Sequence, residues 1–327
     1  MKILVGIYSQ FFNWHIPEPH VAWLRGEFPE HRFVRADSDA AMLAEIGDAE
    51  IAFSSLVSRE SFAAARRLRW IHSPAAGVGS MLFPESIASP VIITNSRGNS
   101  AETIAEHVIA VTLALFRQLP LAWRRQTETV WAQNELSQPA VIRTLKGARV
   151  LVVGLGAIGG AVARLAAGFG AHVVGVRRHP DAPPVPGVDV VIPPGRLLHA
   201  LQHADVVVVA APQTADTRHL IGAAELDAMK PDAVLVNVSR GKLVDEAALE
   251  HCLASGRLRG AALDVFEHEP LDPASPLWRD PRVLITPHVS GIHDRYWPDA
   301  AALFADNLRR FVAGEPLRNV VDKQAGY

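Results

Sequence analysis

Three polar residues each follow an apolar, strand-like run in the second half of this 327-residue chain. Arg240 ends VLVNVSR, Glu269 ends GAALDVFEHE, and His288 ends VLITPH. A guanidinium presents a rigid fork of donors that can grip a carboxylate and polarise a carbonyl beside it. An imidazole titrates near neutral pH and can give or take a proton. A carboxylate next to that imidazole favours its charged form. Reduction of a 2-keto acid needs these three services, together with a source of hydride. Taken singly, Arg240 could be a structural arginine, Glu269 a solvated acid and His288 one histidine among 14. Their placement gives them weight, because ligands of open α/β sheets bind outside the carboxyl ends of the strands.

The hydride source is suggested by Gly154-Leu155-Gly156-Ala157-Ile158-Gly159, which follows the apolar run ARVLVV and opens a helical pattern. In such a loop the first glycine (Gly154) permits the tight turn. The second (Gly156) lets backbone approach a pyrophosphate, and the third (Gly159) lets helix and strand pack closely. The helix N-terminus then offers free N–H groups to the phosphates. An acid that would bind the ribose 2′-hydroxyl belongs near the end of the next strand. In HVVGVRRHP that place is held by Arg177, with Arg178 and His179 behind it. Guanidinium groups attract a 2′-phosphate, so the sequence predicts NADP(H) over NAD(H), with Arg177 and Arg178 as cofactor-binding residues.

The elements that must position these residues are strands alternating with helices. Apolar runs at 2–8, 32–36, 50–53, 69–72 and 91–94 are separated by amphipathic stretches. That alternation predicts a parallel sheet covered by helices. SAETIAEHVIAVTLALFRQ reads as a strong helix, and a more polar helix is expected to follow through Trp131. From Lys146 onward ARVLVVG, HVVGV, DVVVVAAP, AVLVNVS, GAALDV and RVLITP read as six parallel strands of a doubly wound domain. The Pro-rich loop at 182–195 holds one further short strand. The last helical stretch, DAAALFADNLRRFVAGEP, is free to pack on the first part of the chain. The expected fold class is therefore α/β. A Rossmann dinucleotide-binding domain, residues 99–289, is inserted into a discontinuous, flavodoxin-like substrate domain, residues 1–98 and 290–327.

Composition narrows the alternatives. A net charge of -2 provides no field for nucleic acid or an anionic membrane surface. One cysteine, Cys252, excludes an internal disulfide framework and a cysteine-rich metal site. His15, His20 and His72 lack the spacing of a helical metal pair, and no metal is expected. The opening apolar run is too short for a signal core, and no apolar stretch reaches the roughly 20 residues that span a bilayer. A cytoplasmic protein that is not membrane-bound is expected.

Longer motifs then resemble the D-isomer-specific 2-hydroxyacid dehydrogenases over most of the chain. They are TNSRGNSAETIAEHVIA, GLGAIGG, TADTRHLIG, MKPDAVLVNVSRGKLVDEAAL, GAALDVFEHEPL and TPHVSG. The resemblance implies Arg240 as substrate-binding arginine, Glu269 as the histidine's partner and His288 as general acid/base. It implies that Ala76 and Gly77 offer backbone N–H groups to the substrate carboxylate. It also implies that Ala157, Ile158, Ala211, Pro212, Val238, Ser239, Asp264 and Gly291 line the cofactor, with Asp264 at the nicotinamide end. A stretch ending near Trp131 resembles the family's dimerisation arm, so a homodimer is expected. Gly79 stands where the family often has aspartate, and Arg177 where it often has an acid, as in the NADP-using glyoxylate and hydroxypyruvate reductases. The expected reaction is reduction of a small 2-keto acid to a D-2-hydroxy acid. Oxidation of another small anion such as phosphite, or a corepressor-like nucleotide sensor, are the alternatives on the same scaffold.

Overall fold

The computed structural model describes residues 1–9, 11 and 14–326. It divides into two compact units, Met1–Ser100 with Ile292–Tyr327, and Ala101–Gly291.

The first unit is built on a five-stranded parallel sheet: β1 (Lys2–Gly6), β2 (Arg32–Arg35), β3 (Ile51–Ser54), β4 (Trp70–Ser73) and β5 (Ile92–Asn95). Their spatial order is β2-β1-β3-β4-β5. Strands β3 and β4 are buried along their whole length, as parallel strands with helices on both faces must be. One face packs on the helix Tyr296–Ala313, whose Phe304 ring stacks on Phe53 at 4.4 Å and on Trp70 at 5.2 Å. His72 is buried here, and burial pushes its pKa down to about 3. Its Nδ1 and the Trp70 indole N–H share the Thr94 hydroxyl, at 2.7 and 2.8 Å. It is a neutral core histidine.

The second unit carries seven parallel strands. They are β6 (Arg149–Val153), β7 (His172–Val176), β8 (Val190–Ile192), β9 (Val206–Val209), β10 (Val234–Asn237), β11 (Gly260–Leu263) and β12 (Val283–Ile285), in the order β12-β11-β10-β9-β6-β7-β8. The sequence predicts six strands of this sheet. The seventh is the short one in the Pro-rich loop, which pairs with β7 from Val174↔Val190 to Val176↔Ile192 and becomes an edge. One face is covered by the helices Ala101–Phe116 and Ala157–Gly168. The other is covered by the shorter helices Leu197–Leu201, Ala223–Ala228 and Glu246–Ala254, and Cys252 is buried among their apolar residues. The polar helix expected to run to Trp131 is two pieces, Leu119–Thr127 and Gln133–Leu136. It is set off from its predecessor by the left-handed Gln118, φ 55°, and Trp131 falls between the pieces. No single helix among the described residues is long and apolar enough to cross a membrane.

Asp205, 6% exposed, ties the amino ends of the central strands together. One oxygen accepts from the Arg149 amide at the start of β6 (2.8 Å). The other accepts from Lys230 Nζ (2.5 Å) and Arg143 Nη2 (3.0 Å). Burial raises its pKa, but the amide and the two cations outweigh burial and hold it below the ordinary aspartate value. A depressed folded pKa contributes stability above the unfolded value near 3.9, and loses it as pH falls through the folded value. Asp205→Asn is expected to cost about 2 kcal/mol at pH 7, discounted for the partial exposure of both cations. In urea unfolding the difference from wild type should shrink below about pH 4; a difference independent of pH would reject the clamp.

Candidate active site

Arg240, Glu269 and His288 lie beyond the carboxyl ends of β10, β11 and β12, which are neighbours in the sheet. The turn after β10 is shaped by the buried Asn237. Its Oδ1 accepts from the Ser239 amide and hydroxyl (3.1 and 3.0 Å), and its Nδ2 donates to the Arg240 carbonyl (3.1 Å). Gly241 closes that turn against the next loop, where a Cβ would come within 1.8 Å of the Phe266 carbonyl carbon. No larger residue fits, so the Arg240 loop and the Phe266–Glu269 loop lie in direct contact. Arg240 is half-buried and Nη1 donates to Ser239 O at 2.6 Å. Its other N–H groups have no acceptor among the described residues. Burial presses its pKa down against the opposing charge of Glu269, and it remains a cation.

Glu269 uses both oxygens. Oε1 accepts from the Phe266 amide at 3.0 Å and Oε2 meets His288 Nδ1 at 2.7 Å. Burial raises its pKa, but His288, the Phe266 amide and Arg240 together leave it below the usual glutamate value. Glu269 is therefore a carboxylate at neutral pH. With Nδ1 engaged, His288 has Nε2 left to face a ligand.

His288 itself is left-handed, φ 54°. Asp264, 2% exposed, holds the turn that imposes this. Its backbone carbonyl accepts the His288 amide at 2.8 Å. Its Oδ1 accepts from the Thr286 hydroxyl and the Val289 and Ser290 amides (2.6, 2.9 and 3.2 Å), while Oδ2 takes a second contact from Ser290 (3.1 Å). The sequence expectation has Asp264 lining the cofactor. Its carboxylate points instead into the turn that carries His288. His107, on the helix Ala101–Phe116, reaches Thr286 Oγ1 with Nε2 at 3.3 Å and extends this network. Burial lowers its pKa, opposed by the charge of Asp264.

A second network braces the same loops. His219 Nε2 meets Glu267 Oε1 at 2.9 Å, and its Nδ1 lies 3.6 Å from Asp245. Glu246 accepts from the Glu267 amide, and Glu267 accepts from the Glu246 amide. The candidate ligand atoms of His219, Asp245 and Glu267 lie within 4.8 Å of one another. The imidazole uses opposite nitrogens for the two acids, however, so the three do not converge on one centre as metal ligands would. No local sequence signal marks this brace, because His219 and Glu267 stand 48 positions apart and each looks solvated alone.

The glycine loop has the form a dinucleotide requires. Gly154 is left-handed, φ 101°, and a Cβ there would approach the Ala211 amide to 2.6 Å. Gly159 would put a Cβ 1.9 Å from Gly154 O, while a Cβ on Gly156 would meet nothing within 4 Å. Two glycines are required by packing and one borders open space, where a pyrophosphate can approach. Ala157 and Ile158 start the helix behind it, with the unpartnered first-turn N–H groups of any helix start. Ala211, Val238 and Ser239 are buried, Pro212 is exposed and Gly291 is partly buried, all in this unit.

Arg177 departs from expectation. Its guanidinium donates to Pro183 O (3.0 Å), Pro180 O (3.1 Å) and Ala182 O, and so organises the loop after β7. Arg178 is the exposed guanidinium, 3.3 Å from the exposed Asp216.

Ala76 and Gly77 belong to the other unit, on the exposed loop after β4. Asn95 Nδ2 holds the loop through Ala76 O (2.6 Å), and the Ser96 amide through Ala75 O (3.1 Å). Neither the Ala76 nor the Gly77 N–H has an acceptor among the described residues. A side chain at Gly79 would meet nothing within 4 Å, so packing does not require glycine there.

Comparison with known proteins agrees with this layout. Residues 109–290 match the NAD binding domain of D-isomer specific 2-hydroxyacid dehydrogenases. A glyoxylate reductase of Korarchaeum cryptofilum is 34% identical over 271 residues, 82% of this chain and 80% of that protein. A D-3-phosphoglycerate dehydrogenase of Mycobacterium bovis is 32% identical over 304 residues, 92% of this chain but 56% of that protein. The crystal structure of an NADPH-dependent glyoxylate/hydroxypyruvate reductase from Sinorhizobium meliloti, in complex with NADP and sulfate, superposes with a TM-score of 0.85. It is 28% identical, and the match covers 100% of this chain and 99% of that one. The chain belongs to the D-isomer specific 2-hydroxyacid dehydrogenase family of NAD(P)-dependent enzymes.

Proposed function

We propose that this enzyme reduces a small 2-keto acid of the glyoxylate and hydroxypyruvate class to the D-2-hydroxy acid, with NADPH preferred over NADH. The 2.7 Å pairing of His288 Nδ1 with Glu269, beside the uncommitted donors of Arg240, carries the reading. When bound, the nicotinamide coenzyme supplies the hydride that reaches the keto carbon. Gly154, Gly156, Ala157, Ile158 and Gly159 would hold its pyrophosphate, and Ala211, Pro212, Val238, Ser239 and Gly291 would line its path. Arg240 binds the substrate carboxylate and polarises the carbonyl with the same fork. The Ala76 and Gly77 amides give the carboxylate further donors. His288 Nε2 passes its proton to the carbonyl oxygen as that atom gains charge, and the neutral imidazole takes a proton back from solvent. Glu269 fixes the ring through Nδ1 and so leaves Nε2 as the atom that carries the transferred proton. Asp264 acts through the His288 turn.

The coenzyme preference rests on the end of β7, where Arg177 and Arg178 stand in place of an acid that would accept a hydrogen bond from the ribose 2′-hydroxyl. The charge of Arg177 lies there within the loop, and Arg178 is exposed beside it. The pair of Arg178 with Asp216 is a surface ion pair of small strength, and a 2′-phosphate can compete with it. The relative whose structure was determined with NADP supports the same direction. A homodimer is proposed from the exposed apolar surface around Trp123 (71%), Val130 (49%) and Trp131 (88%), more than an isolated surface residue would explain.

Three outcomes are expected. His288→Ala should lower kcat for glyoxylate or hydroxypyruvate by roughly 10²–10⁴-fold and leave NADPH binding, followed by fluorescence titration, intact; undiminished turnover would remove His288 from the reaction. kcat/KM should be at least about tenfold higher with NADPH than with NADH, a difference of about 1.4 kcal/mol, and Arg178→Ala should narrow that ratio. Preference for NADH in the wild type would refute the coenzyme assignment. Sedimentation should show a dimer that Trp131→Ser weakens; a monomeric wild type would reject this arm as an interface.

A further inference from the structure

We propose that the second compact unit carries a second ligand site, apart from the coenzyme, which takes an organic phosphate with a flat apolar body. The site is a cavity of about 580 Å³ on the face of the seven-stranded sheet beside β7, β8 and the helix Leu197–Leu201. That volume lies in the range of cavities that hold a small organic ligand. All of its walls belong to this one unit.

The cavity exists because the sheet is under-covered here. Both faces of a parallel sheet are normally packed under helices. The crossover from β8 to β9 passes over β7 and β6 on this face, but its helix has five residues and is about 7.5 Å long. Val174, Ile192 and Ala200 pack on the core and stay only partly buried. Val190, on the edge strand β8, is 51% exposed. These side chains form an apolar floor, and a flat hydrocarbon body laid on it gains by leaving water.

Bases gather at one end of this floor. Arg149 opens β6 and His172 opens β7, and the two are register partners on neighbouring strands. His203 lies just before β9, the strand on the other side of β6, where the Asp205 amide donates to Arg149 O at 2.8 Å. Three donor side chains thus line the cavity from the amino ends of three adjacent strands. Among the described residues the Arg149 guanidinium has no hydrogen-bond or ion-pair partner. The charge of Asp205 is already met by Lys230 and Arg143. The one acid in the wall is Asp189, whose Oδ2 accepts from the Val173 amide at 2.8 Å and lies 3.9 Å from His172 Nδ1. Each imidazole keeps an N–H to donate in either protonation state. A guanidinium and two imidazoles from three strands suit the three terminal oxygens of a phosphate better than the two of a carboxylate.

This site is not part of the dinucleotide's path. Arg149 and Gly154 stand at opposite ends of β6, roughly 16 Å apart at about 3.3 Å per residue. The glycine loop follows the carboxyl end of that strand, and the helix it opens, Ala157–Gly168, covers the other face of the sheet.

The test is isothermal titration of the enzyme saturated with NADPH or NADH, with 1-naphthyl phosphate as the probe. The probe should bind once per chain. Inorganic phosphate and 1-naphthol, which carry its two halves separately, should each bind at least about tenfold more weakly, and 1-naphthoate should also be weaker. Arg149→Ser should weaken the probe about tenfold, and Val190→Glu, which sets a charge on the floor, about as much. Both positions are exposed, so both variants should keep coenzyme binding. Arg164→Ser, on the helix of the opposite face, should leave the probe's affinity unchanged. No saturable binding of the probe would overturn the proposal, as would an affinity that neither cavity variant changes. Equal binding of 1-naphthol would reduce the site to an apolar surface, and equal binding of 1-naphthoate would reject phosphate as its ligand. Competition between coenzyme and probe would also overturn it, because the probe would then be reading the dinucleotide site. A fall in sedimented mass for Val190→Glu would assign this face to a second copy of the chain instead.

Discussion

The buried carboxylate of Asp264 is the constraint on which the site depends. A carboxyl group without partners at 2% exposure would be costly, and Asp264 is satisfied by donors drawn from one turn: the Thr286 hydroxyl and the Val289 and Ser290 amides. Satisfying that group forces residues 286–290 to wrap around it, and the wrapping leaves His288 left-handed. A left-handed histidine is uncommon and locally unfavourable. The hydrogen bonds to Asp264 offset that cost and aim the imidazole at Glu269. His288 is thus held by an aspartate that its ring does not touch.

Loop contact does the rest. Gly241 lets the Arg240 turn lie directly on Phe266 and Glu267, and the reciprocal bonds between Glu246 and Glu267 hold the two segments together. Arg240 and Glu269 therefore sit on one joined piece of backbone, with opposite charges close enough to influence each other's titration. Such preorganisation limits the reorientation that a bound carboxylate would otherwise require.

What could be read from the sequence follows from how local each constraint is. The glycine loop is legible because each glycine answers to a neighbour a few residues away, as Gly159 does to the Gly154 carbonyl. The three strand-end polar residues are legible because β10, β11 and β12 are short apolar runs that stop abruptly. The direction in which a long side chain turns is not written locally. Nothing in HVVGVRRHP tells that Arg177 bends onto the carbonyls of Pro180, Ala182 and Pro183. The link between His219 and Glu267 likewise exists only once β10 and β11 are paired. The break after Phe116 is legible as the change from an apolar to a polar helix, whereas the break between Thr127 and Gln133 has no proline or glycine to mark it.

The engagement of Arg177 has a consequence for how coenzyme choice can change in this fold. Its guanidinium is the template on which three carbonyls of the following loop are arranged, and its Nε is buried without a partner. An acid placed at 177 would confront those carbonyls with like polarity, and the loop would open before any ribose arrived. The segment 177–183 is therefore held together as one unit, and a single-residue swap at 177 would be met first as a folding defect of the loop.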